Sequence, residues 1–308
     1  MPYLGEICAL LTAVCWAGSS TAFAIASRAV GPVPANQFRL FAALPVLFLL
    51  AWLTTGQLWP VHLPERRVLL LVLSGLIGLT LGDLGFFYAL AALGPRVSSV
   101  IMATWPAFAV LIALMTGNVP DGAVVLGIAV TITGVMLVLL RHREGTSWQP
   151  NLTRAQWWGG VAGAFVGAIG QAGGAVLARA AMKVGPDLPE GVIPLQATIV
   201  RMLAATLGLQ LVLFVHRRPL AMRAVLADAR ATRAALLGAL FGPVSGVWLS
   251  MTALRYAEHT GVAEALMATT PIFMIPVAVV VYGARVGWIG GFGTVLAVLG
   301  AAMLFLWR

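Results

Sequence analysis

Five ionisable side chains stand inside long apolar runs of this 308-residue chain: Glu6, Arg39, Asp83, Arg201 and Glu264. Holding such a group in hydrocarbon costs roughly 2.5 to 3.5 kcal/mol on insertion scales, so each retained one is a functional candidate. The three carboxylates are candidates for proton coupling. Asp83 leads them, near the middle of its run beside a glycine ladder; Glu264 lies about two turns before Pro271, and Glu6 near the start of the first run. The structural alternative for Asp83 is a lock with a neighbouring arginine, and for Glu6 and Glu264 a favourable place near a helix start. Arg39 and Arg201 are suited to hold a substrate carboxylate through paired hydrogen bonds. Alternatively they pair with Asp83 and Glu264, or reach to the membrane interface. Trp16, Tyr88, Trp105 and Trp248 lie at comparable depth and, with Gln171, are candidates to line a pocket, against a plain bundle-core role. Trp59, Trp148, Trp157, Trp158, Trp288 and Trp307 fall at run ends, as aromatic belts do.

The elements that must position these groups follow from composition. Hydrophobic residues make up 60% of the chain and charged ones 9%, against about 25% charged in soluble proteins. An all-α integral membrane protein is expected, each crossing needing about 20 mostly apolar residues. Apolar runs fall at 4–26, 38–55, 68–92, 97–115 and 122–140, and then at 157–181, 197–215, 234–254, 262–281 and 286–307. Ten transmembrane helices are predicted, in two five-helix units, 1–140 and 157–308, joined by the polar linker 141–156. Most connections are a few residues long, which makes neighbouring helices antiparallel and leaves no room for a soluble domain.

The two units repeat each other. MATWP at 102–106 returns as MATTP at 267–271, so Pro106 and Pro271 stand 165 residues apart (271 − 106). Arg39 and Arg201 each stand near the start of the second run of their unit. Five is odd, so the second unit enters the membrane in the opposite sense, an inverted-topology repeat of the kind that supports alternating access. The two prolines free carbonyls one turn earlier, at Met102 and Met267, and are predicted hinges. Small residues recur at helical spacing in Gly75, Gly78, Gly82 and Gly85, in Gly238, Gly242 and Gly246, and in a stripe from Gly160 through Gly174 to Ala178 that includes Gln171. Such faces let helix backbones approach closely. A matching stripe on the first run carries Glu6, Trp16, Ser20 and Ser27 and is expected to face the bundle interior.

In GEICALLTAVCWAGSS at 5–20, NQFRL at 36–40, ALGPRVSSVIMATWPAF at 92–108, GPVSGVWLSMTAL at 242–254 and GVAEALMATTPIF at 261–273, the chain resembles the drug/metabolite transporter superfamily. The likeness is to its EamA-type ten-helix members and covers nearly the whole chain. It implies a secondary transporter, an exporter of amino acids or other small metabolites working without ATP; lipid or lipid-linked sugar flippases and drug efflux are the alternatives within the same fold. A glutamate common in that family after the fourth span is not carried over, since the corresponding zones read TGNVPDG and YGARVG, with Asn118 and Ala284 near its place.

Other classes find little support. The formal charge of +9 sits at span ends and in connections, as headgroup anchoring requires, so no nucleic acid partner is expected. There is no G-x-x-x-x-G-K-[ST] to hold nucleotide phosphates, no H-E-x-x-H zinc helix and no G-x-S-x-G elbow, so neither an enzyme nor an ATP-driven pump is predicted. Cys8 and Cys15 lie seven residues apart on one helix face, which suggests neither a disulfide framework nor a metal site. No cofactor is implied, and the start MPYLGE lacks the positive region of a cleavable signal. The expected partners are a small-molecule substrate and the lipid bilayer, the location a cell (inner) membrane, and the assembly a monomer or homodimer. The distribution of arginines favours the N-terminus outside, whereas the resemblance implies both termini inside.

Overall fold

The computed structural model describes residues 3–57, 63–114, 122–142, 152–188, 191–257, 263, 266–282 and 287–306. Among these residues, six helices are long and apolar enough to cross a bilayer: α1 (Leu4–Val30), α2 (Pro32–Thr55), α3 (Glu65–Leu93), α7 (Arg154–Met182), α8 (Pro194–Val215) and α10 (Ala229–Tyr256). Between and after them come α4 (Pro95–Met102), α5 (Trp105–Leu114), α6 (Gly122–His142), the single turn α9 (Arg223–Leu226), α11 (Thr270–Tyr282) and α12 (Trp288–Leu306). A helix of 27 residues such as α1 rises about 40 Å, more than the hydrocarbon thickness. Polar groups along these helices bond within their own backbone: Thr12 Oγ1 donates to the carbonyl of Cys8 at 2.7 Å and Thr206 Oγ1 to that of Met202 at 2.8 Å. This satisfies hydroxyls that lie buried in the bundle, where no water is at hand to bond them.

Helices α2 and α8 begin one to two turns earlier than the apolar runs suggest. Pro32 and Pro194 each occupy the first helical turn, where the missing N–H costs nothing and the fixed φ suits a helix. Gly31, at φ 94°, turns the chain from α1 into α2. The consequence matters for the site: Arg39 and Arg201 each stand seven positions into their helix (39 − 32 and 201 − 194), about two turns from its end.

The fourth run of each half is interrupted shortly before its proline. A turn at Ala103 and Thr104 separates α4 from α5, and a turn at Ala268 and Thr269 precedes α11. Proline lacks an N–H and its ring excludes the carbonyl four residues back, so the helix before Pro106 and Pro271 cannot close normally. The backbone answers alike in both places. Thr104 N donates to the carbonyl of Ile101 and Thr269 N to that of Leu266, and each threonine's Oγ1 bonds the same carbonyl as its own N–H. The Met267 carbonyl freed by Pro271 is taken by Thr270 Oγ1 at 2.8 Å.

A second matched feature lies on the third helix of each half, where α3 widens into a π turn over Gly75–Gly82 and α10 over Leu240–Gly246. Both begin at the 165-residue spacing seen for the prolines. Such widened turns concentrate at functional sites, and Asp83 directly follows the first.

The glycine stripes join the halves reciprocally. The first helix of each half packs on the third helix of the other, α7 against α3 and α1 against α10. A Cβ on Gly85 would sit 2.6 Å from the Gly163 carbonyl oxygen, and one on Gly238 would sit 2.7 Å from the Phe23 ring. The fifth helices, α6 and α12, meet just as closely, with a Cβ on Gly134 falling 2.3 Å from the backbone of Ala297.

Candidate functional site

Where the two halves meet, a cavity of about 110 Å³ opens between them, several times the space one water needs. The first half contributes Trp16 and Ser20 from α1, Arg39 from α2 and Asp83 from α3; the second contributes Gln171 from α7 and Pro271 from α11. Both helix breaks edge it, through Met102 and Ala103 on one side and Met267 and Ala268 on the other. Alternation around each helix explains the lining. Trp16, Ser20 and Phe23 fall on one face of α1, and the Phe23 ring packs over the smooth surface that Gly238 leaves on α10.

Arg39 and Asp83 form an ion pair in the cavity wall, Nη2 donating to Oδ2. Asp83 keeps 16% of its side-chain surface open, against 7% for Arg39. The guanidinium also lies over two aromatic rings, 5.1 Å from the Phe87 centroid and 5.9 Å from that of Phe23, and the rings themselves pack at 4.9 Å. Cation–π contact of a desolvated guanidinium is worth about 2 kcal/mol, so Arg39 is held by charge and by ring faces at once. Its Nε has no acceptor. Ser99, whose Oγ is likewise buried without a partner, lines the same cavity.

Trp105 is buried, at 4% exposure, against Ala168, Ala172 and Ala175 of α7 while also facing the cavity. Pro106, beside it, is buried but lies off the cavity wall, unlike Pro271. Tyr88 stands on the outer side of α3, 40% exposed, with its ring against Gly159 of α7. Trp248 packs against an apolar cluster built largely by α2 and α8 and does not line the cavity. Glu6 is half-buried in the first turn of α1, away from the cavity. Glu264, Asn118, Ala284, Trp59, Trp148 and Trp307 lie outside the described residues.

Arg201 is 2% exposed and is not itself part of the cavity wall. Its Nη1 rests on Met251 Sδ at 3.3 Å, and its Nε has no acceptor. A methyl group on Gly78 or on Gly174 would come within 3.5 Å of its Nη2, so these two glycines make room for the guanidinium between α3 and α7. At one end of the bundle a second ion pair closes the connection after α7. There Arg67 grips Asp187 with Nε and Nη2, both at 2.6 Å, and gives Nη1 to the carbonyl of Ala181 at 3.1 Å. The hydrogen-bonded Arg67 guanidinium holds the Asp187 carboxyl below the usual carboxylate range.

Residue types alone do not single out Phe23, Phe86, Phe87, Met102, Met267, Ser19 or Ser99, all of which line the cavity. For Phe23 a signal exists, since it repeats seven residues after Trp16, on the same helix face.

The model of the EamA-like transporter family matches this chain twice, at residues 3–140 and at 158–306. One solved crystal structure of a protein is similar over 98% of this chain and 96% of that chain, with a TM-score of 0.66 and 18% identity, a likeness of fold. A comparison with curated protein sequences found no match. With its two family repeats meeting at one central cavity, the chain belongs to the EamA-like transporter family, a multi-pass membrane protein of the drug/metabolite transporter superfamily.

Proposed function

We propose that this protein is a secondary transporter that carries amino acids or other small metabolites across a cell (inner) membrane by alternating access. The carrying observation is that one cavity is walled jointly by both halves at their two matched helix breaks. Reciprocal packing of first on third helices supports two units of opposite membrane sense, and such units supply two equivalent gates around one fixed site. Rocking then opens the cavity to one side as it seals the other, with the turns before Pro106 and Pro271 as hinges.

Asp83 is the coupling group in this proposal. It is the cavity's one carboxylate among the described residues, and its pair with Arg39 is lost when it takes a proton. Protonation therefore unties α3 from α2, and release on the other side ties them again. Trp16, Trp105 and Gln171 contact the substrate body.

The test is flux in sealed vesicles carrying the purified protein, screened against amino acids, other small carboxylates, nucleosides and organic cations. Accumulation of one class under an imposed proton gradient, abolished by a protonophore, is expected. Absence of protein-dependent flux for every class, by accumulation and by exchange, contradicts the proposal.

A further inference from the structure

The two halves each bury an arginine at the same place, seven positions into the second helix, but among the described residues the cavity wall has a single carboxylate. Asp83 directly follows the π turn of α3; the residue at the matching spacing on α10 is Trp248. Arg39 therefore has Asp83, whereas among the described residues no carboxylate lies within 4.0 Å of Arg201. What Arg201 has instead is the Met251 sulfur, a weak acceptor, and an Nε with nothing. An uncompensated buried charge is a severe burden on a fold. Asp83 pairs with Arg39, and one carboxylate neutralises only one of the two guanidinium charges. Among the described residues, the layer beside the cavity thus holds one positive charge more than its carboxylate pairs.

Position makes this excess usable. Every element touching the Arg201 guanidinium also reaches the cavity within about one turn: Gly78 precedes Leu79, Gly174 follows Gln171, and Met251 follows Val247. Gly78 and Gly174 leave its Nη2 uncovered by any side chain of theirs, where a methyl group would already be at 3.5 Å. The rest of the cavity is of another kind. Trp16, Phe23, Phe86, Trp105, Met102 and Met267 present rings and thioethers, suited to an apolar body.

We infer that the transported molecule is a small organic anion, a carboxylate on an apolar or aromatic body, and that Arg201 receives the carboxylate. This rests on the transporter proposal for the cavity's purpose, but its chemistry is tested by binding alone. The planar guanidinium matches a carboxylate through two parallel N–H donors, and the ring-lined cavity takes the remainder.

The experiment compares three probes of nearly one shape and three charges, benzoate, benzamide and benzamidine, by isothermal titration and by thermal shift on the purified full chain. Benzoate should bind at least about tenfold more tightly than benzamide, with benzamidine the weakest. Arg201→Gln should reduce the benzoate preference to below about threefold, while Arg201→Lys, which keeps the charge without the fork, retains part of it. Should Arg201→Gln fail to fold, the wild-type ranking and the lysine variant still decide. Equal binding of the three probes, preference for benzamidine, or a full benzoate preference in Arg201→Gln each overturns the inference. Protein-dependent flux of an uncharged or cationic substrate alongside any of these results leaves the transporter proposal standing, whereas loss of all flux removes that proposal as well.

Discussion

Asp83 carries the greatest chemical weight of any single residue, because it is at once ion-paired, partly open to the cavity and set just after a π turn. If its protonation drives the cycle, Asp83→Asn should abolish accumulation under a proton gradient. Exchange of substrate across the membrane should persist, since exchange needs a moving cavity but no net proton. Gradient-driven accumulation by a correctly inserted Asp83→Asn protein would remove Asp83 from coupling. The tryptophans divide as clearly: Trp105 is 4% exposed on the cavity wall and Trp288 is 81% exposed at the start of α12. Trp105→Ala is expected to weaken substrate affinity about tenfold or more, and Trp288→Ala less than twofold, read by titration with the transported compound. Residue type made Arg39, Asp83, Trp16 and Gln171 legible in the sequence, since a polar or amphipathic group in an apolar run stands out. Phe23, Phe87 and Met102 have no such contrast. Tyr88 and Trp248 show a further limit: position along a run reports depth in the membrane, while the face a side chain takes depends on which helices pack around it.

At the scale of elements, the six long spans among the described residues and their small-residue faces were readable because apolar run length and three- to four-residue spacing are direct consequences of bilayer thickness and helix geometry. The helix starts at Pro32 and Pro194 were less so, because hydropathy does not register a proline in the first turn, whereas Pro106 and Pro271 themselves marked the breaks in the fourth runs. These breaks yield a functional prediction. Pro106→Ala and Pro271→Ala restore a donor and favour a continuous helix, so each should insert normally yet slow transport severalfold; wild-type flux from both dismisses the hinge. Packing yields a second prediction. A Cβ on Gly75 would lie 2.3 Å from the Arg201 carbonyl oxygen, a backbone atom that cannot rotate aside. Gly75→Ala should therefore push α8 from α3 and lower stability by about 1 to 3 kcal/mol, measured as a fall in the melting temperature of the purified protein. Gly56→Ala gives a comparison: that site has open space, though its φ of 70° adds backbone strain.

The whole molecule is two copies of one family unit, and its matched features recur in pairs: two proline breaks, two π turns, two buried arginines. Among the described residues the charge does not recur: Asp83 in one half corresponds by spacing to Trp248 in the other. A cavity shared by two such halves is suited to open alternately, as the proposed transport cycle requires. Alternate opening is tested most directly by placing one cysteine on the cavity wall, Ser20→Cys, in a chain whose Cys8 and Cys15 are changed to serine. Sealed vesicles of known orientation are then exposed to a membrane-impermeant thiol reagent from either side. Alternating access predicts labelling from both sides, at rates that change in opposite directions when the proton gradient is reversed, and protection by transported substrate on each side. Labelling rates that rise and fall together on both sides, as a continuous pore would give, or access confined to one side under every condition, would contradict it.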